Sequence, residues 1–245
     1  MNPIDLTPIP NPESTTPSGP FFDYTDLFFF IGLCIPCLLI ALLLTRAVKI
    51  FAPTPMSIQL LLGQTLWYFL VFGSLAALFR IRYRRPFWRS LGWRPISFVA
   101  FAGAVVAGPL LALSVGLLGS ALRMPEIEPP FEQMLGSRGA IVFLGILAVI
   151  LGPVAEELAF RGFLMPLLVR SIGAVGGILV TGSIFGSIHG YEYEWSWQYM
   201  LLISLAGCVF GWAKYKTQST VAGAIMHSTF NLTQFAALLW RLQTQ

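Results

Sequence analysis

An all-α, polytopic transmembrane helical bundle of about seven to eight helices is the fold class that this 245-residue sequence predicts. Three observations predict it. Hydrophobic residues make up 56% of the chain and charged residues only 11%, with a mean hydropathy of +0.74; a soluble domain carries roughly 25% charged residues. Apolar segments recur, most of them close to the ~20 residues that cross a ~30 Å hydrocarbon core. Basic residues gather in a few links between those segments. Backbone in lipid must satisfy its own polar groups, so the apolar segments read as helices and not strands.

Residues 1–26, MNPIDLTPIPNPESTTPSGPFFDYTD, are rich in Pro, Ser and Thr and contain no Lys or Arg. A secretory signal needs a basic start and an early apolar core, so this stretch reads as a disordered Pro-rich tail. Seven apolar segments follow, at 27–47, 57–79, 96–122, 139–168, 172–190, 197–213 and 218–240. The fourth is long for a simple span and the sixth is short. Cys34 and Cys37 form a CxxC inside the first segment, and Cys208 lies in the sixth. All three read as small apolar packing residues, not as a disulfide framework or redox pair. The chain thus divides into the tail, N-terminal helices over 27–138, and a second half over 139–240 that holds the buried polar groups.

The link over 80–95 carries Arg80, Arg82, Arg84, Arg85, Arg89 and Arg94. Placing it in the cytoplasm brings Arg161, Arg170, Lys214 and Lys216 to the same side, and leaves Arg46, Lys49, Arg123, Arg138 and Arg241 outside. By the positive-inside rule the N-terminus is then cytoplasmic and the C-terminus external. Trp88 and Trp93 in this link suit a piece lying along the membrane interface. The net charge of +4 is small; it sets topology, and no nucleic-acid partner is expected.

Few ionisable side chains fall inside the spans: Glu156, Glu157, Arg161, His189 and His227. Such groups are costly in lipid and are functional candidates by default. Glu157 and Arg161 are four apart and share a helix face, so they can pair. Glu156 lies about 100° round the helix and is free of that partner. The expected division is structural for Glu157 and chemical for Glu156. His227 and Asn231 share one face, as do Phe185 and His189, with Phe185 as packing support. Segments four and five read as a hairpin turning near Ser171–Gly173. Glu156 is about 16 residues before that turn and His189 about 17 after it, so both sit ~24 Å from the tip. His227 falls at a similar level, in the cytoplasmic half of the membrane. Glu192 and Glu194 read as solvated loop acids.

A carboxylate at this depth can act as general base on a water, and an imidazole beside it can position that water. A second His and an Asn can donate to an oxyanion. Together they describe amide hydrolysis. Glu156, His189 and His227 also make a plausible zinc set with a position left for water, although the H-E-x-x-H helix motif is absent. The residues leave both versions open. Ser187, Ser228 and Thr229 lie near the histidines without a recognisable nucleophile context.

Three motifs in order, EExxxR (Glu156, Glu157, Arg161), FxxxH (Phe185, His189) and HxxxN (His227, Asn231), resemble those of the CAAX protease and bacteriocin-processing family, also called the ABI family. The resemblance covers about 139–240; SLGW at 90–93 is also like many bacterial members. It implies an intramembrane endopeptidase similar to the type II CAAX prenyl endopeptidases, in a bacterial inner membrane. It implies that Glu156 and His189 activate water and that His227 and Asn231 form the oxyanion site. Family members are described both as metalloendopeptidases and as glutamate-dependent enzymes without metal, so zinc stays open. The implied partners are the lipid bilayer and a peptide or protein substrate, prenylated or not. Two other readings compete: a proton-coupled transporter, which expects an internal repeat not found here, and a non-catalytic scaffold or immunity-type protein on the same fold.

Overall fold

The computed structural model describes residues 20–52, 54–128, 132, 135 and 137–244. Among these there are helices, turns and no strand. The long helices are α1 (Tyr24–Phe51), α2 (Met56–Tyr83), α4 (Phe98–Ala121), α7 (Met165–Ile188), α8 (Trp197–Thr217) and α9 (Thr220–Thr244). Shorter pieces are α3 (Phe87–Ser90), α5 (Arg138–Ile146) and α6 (Gly152–Glu157). Four helices are long and apolar enough to cross a membrane, the last being the continuous 51-residue run Arg138–Ile188. That run doubles back at Gly173, whose φ of 77° and ψ of 172° suit only glycine. Val169 returns against Gly177 across the reversal, so the run makes two legs, as the hairpin expectation requires. Helices α8 and α9, with 21 and 25 residues, have the length of spans but are less apolar. The bundle is an integral membrane protein, and its lipid-facing rows expose Phe28, Phe29, Ile35, Leu39 and Leu43 of α1.

Residues 20–26, expected as the end of a disordered tail, are instead structured; residues 1–19 lie outside the described residues. Phe22 is 1% exposed and packs between Phe79 of α2 and Phe163. Asp23 caps α1 by accepting from the Thr25 and Asp26 backbone N–H groups, and Asp26 returns the bond to the Asp23 N–H. This is a capping box built from two aspartates. Asp26 is buried and also accepts from Arg82 Nη1 at 2.9 Å and the Tyr83 hydroxyl at 2.6 Å. Two Phe and a DxxD spacing outweigh the Pro-rich composition that precedes them.

The helices alternate in direction. At one end, Tyr24 meets Ser171 at 2.7 Å, Arg170 reaches the Pro20 carbonyl, and Thr220 donates to the Leu91 carbonyl at 2.6 Å. The α1 start, the 80–95 link, the hairpin tip and the α8–α9 turn are thus neighbours. At the opposite end Arg241 pairs with Glu132, and Tyr199 donates to the Pro125 carbonyl. Cys34, Cys37 and Cys208 are free thiols.

Candidate active site

The site begins with two prolines. Pro153 and Pro166 have no N–H to give the helix ladder. Before each the ladder slips to an i→i−5 pattern, producing wide π-helical turns at Leu147–Leu151 and Leu158–Leu164. Gly152 donates to the Leu147 carbonyl, and Met165 to that of Phe160. The two wide turns bracket Glu156 and Glu157. The first also frees a carbonyl. The Ala148 oxygen would ordinarily take the Gly152 N–H, which is diverted, and the next residue along is Pro153. Asn231 of α9 fills the vacancy, its Nδ2 donating to Ala148 O at 2.8 Å.

Glu156 and Glu157 part company as their angular separation demands. Glu157 is fully buried, while the Glu156 side chain is 25% exposed. Glu157 Oε1 lies 2.9 Å from Arg161 Nη1, close but not aligned as a hydrogen bond. Arg161 Nη2 instead donates to the Gly207 carbonyl at 2.7 Å. Its guanidinium sits over Phe185 at 4.5 Å, Phe210 at 5.5 Å and Phe160 at 5.8 Å. These ring faces attract the cation where acceptors are lacking. Glycines make the room: a Cβ on Gly223 would lie 2.6 Å from Glu157 Oε2, and one on Gly207 3.0 Å from Arg161 Nη2.

His227 stands between the two carboxylates. Its Nδ1 is 3.1 Å from Glu157 Oε1, and its Nε2 is 3.7 Å from Glu156 Oε2. Phe210 stacks on the ring at 4.5 Å and 17°. Phe185, 2% exposed, touches both histidine rings, at 4.8 Å for His189 and 5.7 Å for His227. His189 ends α7. Its backbone N–H bonds to Gly186, leaving the Phe185 carbonyl without its usual partner. The His189 ring takes that carbonyl with Nδ1 at 2.7 Å. A carbonyl only accepts, so Nδ1 carries the proton and Nε2 is the open nitrogen.

The structure therefore gathers Glu156, Glu157, Arg161, Phe185, His189 and His227 around shared contacts, with Asn231 one helical turn beyond His227. The zinc set does not assemble: among the described residues no three His, Cys, Asp or Glu side chains gather closely enough to hold a metal ion. Glu156, His189 and His227 as placed do not fit that role. Glu192 and Glu194 are exposed in and after the 3₁₀ turn Gly190–Tyr193. The reading from sequence paired Glu157 with Arg161 but missed its contact with His227. It also missed Phe210, Gly207, Gly223 and the Asn231–Ala148 bond. Pro153 was the available signal for the last of these.

No curated protein and no solved structure is similar enough to the chain to count as a match. Residues 138–233 match the family described as type II CAAX prenyl endopeptidase Rce1-like, a stretch that runs from α5 into α9 and contains every residue of this site. Over residues 138–233 the chain is therefore similar to that family.

Proposed function

We propose that this protein is an intramembrane endopeptidase that hydrolyses a peptide bond by attack of a water activated by Glu156. One observation carries the reading: of two adjacent carboxylates, Glu157 is sealed by Arg161, while Glu156 stays open and faces His227 Nε2 at 3.7 Å. A partly exposed carboxylate beside buried polar partners is placed to meet a water and a substrate carbonyl together. Glu156 removes a proton from the water, and the hydroxide adds to the scissile carbonyl. The negative charge on the carbonyl oxygen is met by His227 Nε2–H and by the second Nδ2–H of Asn231. His189 Nε2 holds the water against Glu156. The proton on Glu156 then passes to the leaving nitrogen as the C–N bond breaks, giving one carboxylic acid and one amine and leaving Glu156 ionised again.

The substrate is a membrane-associated peptide or protein, prenylated or not. The end carrying the 80–95 link and the hairpin tip faces the cytoplasm, because it gathers ten of the fifteen Lys and Arg residues. The test is cleavage of a mixed library of membrane and prenylated peptides by purified wild type and Glu156→Gln, with and without a strong chelator. Metal content is measured on the same samples. Cleavage by wild type alone, unaffected by chelator, is the expected result. Equal cleavage by both proteins would refute the role of Glu156, and loss of activity with metal removal would refute the metal-free mechanism.

A further inference from the structure

The pairing of Glu157 with His227 goes beyond an ion pair with Arg161. We propose that Glu157 is a positioning residue that holds the proton of His227 on Nδ1 and so turns Nε2 toward Glu156 and the reacting carbonyl. The proposal rests on the hydrolytic reading of this site and deepens it.

Four observations support it. Glu157 Oε1 lies 3.1 Å from His227 Nδ1, with donor geometry that satisfies an N–H···O bond. Both groups are almost wholly buried, with side-chain exposures of 0% and 5%, so water does not offer Nδ1 an alternative partner. Glu157 is held in place electrostatically, because Arg161 Nη1 lies 2.9 Å from the same oxygen and Arg161 is itself tied to Gly207. Phe210 stacks on the imidazole and fixes its plane. The partner of one ring nitrogen decides which nitrogen carries the proton. An ionised carboxylate is acceptor-only, so Nδ1 must be the donor.

Two consequences follow. Nε2 becomes the working atom of His227, matching His189, whose Nδ1–H is held by the Phe185 carbonyl. Donation from Nε2 to an oxyanion then requires a ring that carries a proton on both nitrogens. The charged and titratable groups that face this ring or border its partners are Glu156, Glu157, Arg161 and, across Phe185, His189.

The chain has only two histidines, so the proposal can be read without an activity assay. The full chain is labelled with ¹⁵N-histidine in detergent micelles, and the ring nitrogens are observed by long-range ¹H–¹⁵N correlation. His189→Gln assigns the two sets of signals. The expected wild-type spectrum shows His227 Nδ1 in the protonated, pyrrole-like range. A His227 ring with a pyridine-like Nδ1 and a protonated Nε2 would overturn the proposal. In Glu157→Leu the acceptor for Nδ1–H is lost, so the His227 pattern is expected to change while that of His189 stays. An unchanged His227 pattern in a folded Glu157→Leu protein would also overturn it. Should that variant not fold, the wild-type assignment decides alone. Because nothing is cleaved in this experiment, its failure is distinguishable from failure of the hydrolytic reading.

Discussion

The aromatic cluster at the start of α1 and the end of α2 packs through large side chains, whereas the helices around the site meet through glycines. On the first side Phe22, Phe30, Phe79 and Phe163 interlock at ring distances of 4.8–6.0 Å. On the other, a Cβ on Gly186 of α7 would strike Ser204 of α8, and one on Gly108 of α4 would strike Thr229 of α9. Ring packing holds backbones a side chain apart. Glycine packing brings them close, which in lipid is the usual route to tight helix association. Only the second kind lets Arg161 reach the Gly207 carbonyl and lets Glu157 lie against Gly223. The first region supplies bulk and the second supplies reach.

The comparison can be broken or sharpened by mutation, from large effects to small. Arg161→Leu leaves Glu157 buried opposite His227 without its cation; a loss of about 3–5 kcal/mol is expected in detergent unfolding, with no residual cleavage. Phe79→Ala opens a cavity in the aromatic cluster and is expected to cost about 3 kcal/mol. Its cleavage rate per folded molecule should equal that of wild type, because no site residue touches Phe79. Gly186→Leu forces α7 off α8 and is expected to cost about 1–3 kcal/mol. Its activity per folded molecule should nevertheless fall well below that of Phe79→Ala, since Phe185 and His189 move with α7. If the two variants lose specific activity equally, the distinction between bulk and reach is wrong. Arg241→Gln removes a half-exposed pair with Glu132 and should change stability by only about 0–1 kcal/mol.

The bundle was legible in the sequence because lipid imposes a simple requirement, an apolar helix of sufficient length. The hairpin was legible for a similar reason: Gly173 sits in a short polar interval between two apolar runs. The site was legible as residues but not as contacts. Helical spacing links Glu157 with Arg161, because both lie on one helix. It carries no information on which face of α9 meets them, so the Glu157–His227 contact, at 70 residues' separation, could not be read. Asn231 was read as a free donor. One of its protons is committed to a carbonyl that is left free only because Pro153 displaces the ladder. The start of α1 was misread because composition averaged over 26 residues hid the Phe21–Asp26 stretch, whose side chains cap the helix and fill the aromatic cluster.

The account rests on unequal roles for two adjacent carboxylates. The most direct measurement is a paired one, cleavage rate and unfolding midpoint for Glu156→Gln and Glu157→Gln prepared side by side. Glu156→Gln is expected to unfold where wild type does and to cleave about 10²–10⁴-fold more slowly, the range for loss of a general base. Glu157→Gln is expected to unfold at clearly lower denaturant, since Arg161 is left without its counter-charge. A Glu156→Gln protein that cleaves at the wild-type rate, or one destabilised as much as Glu157→Gln, would contradict the account.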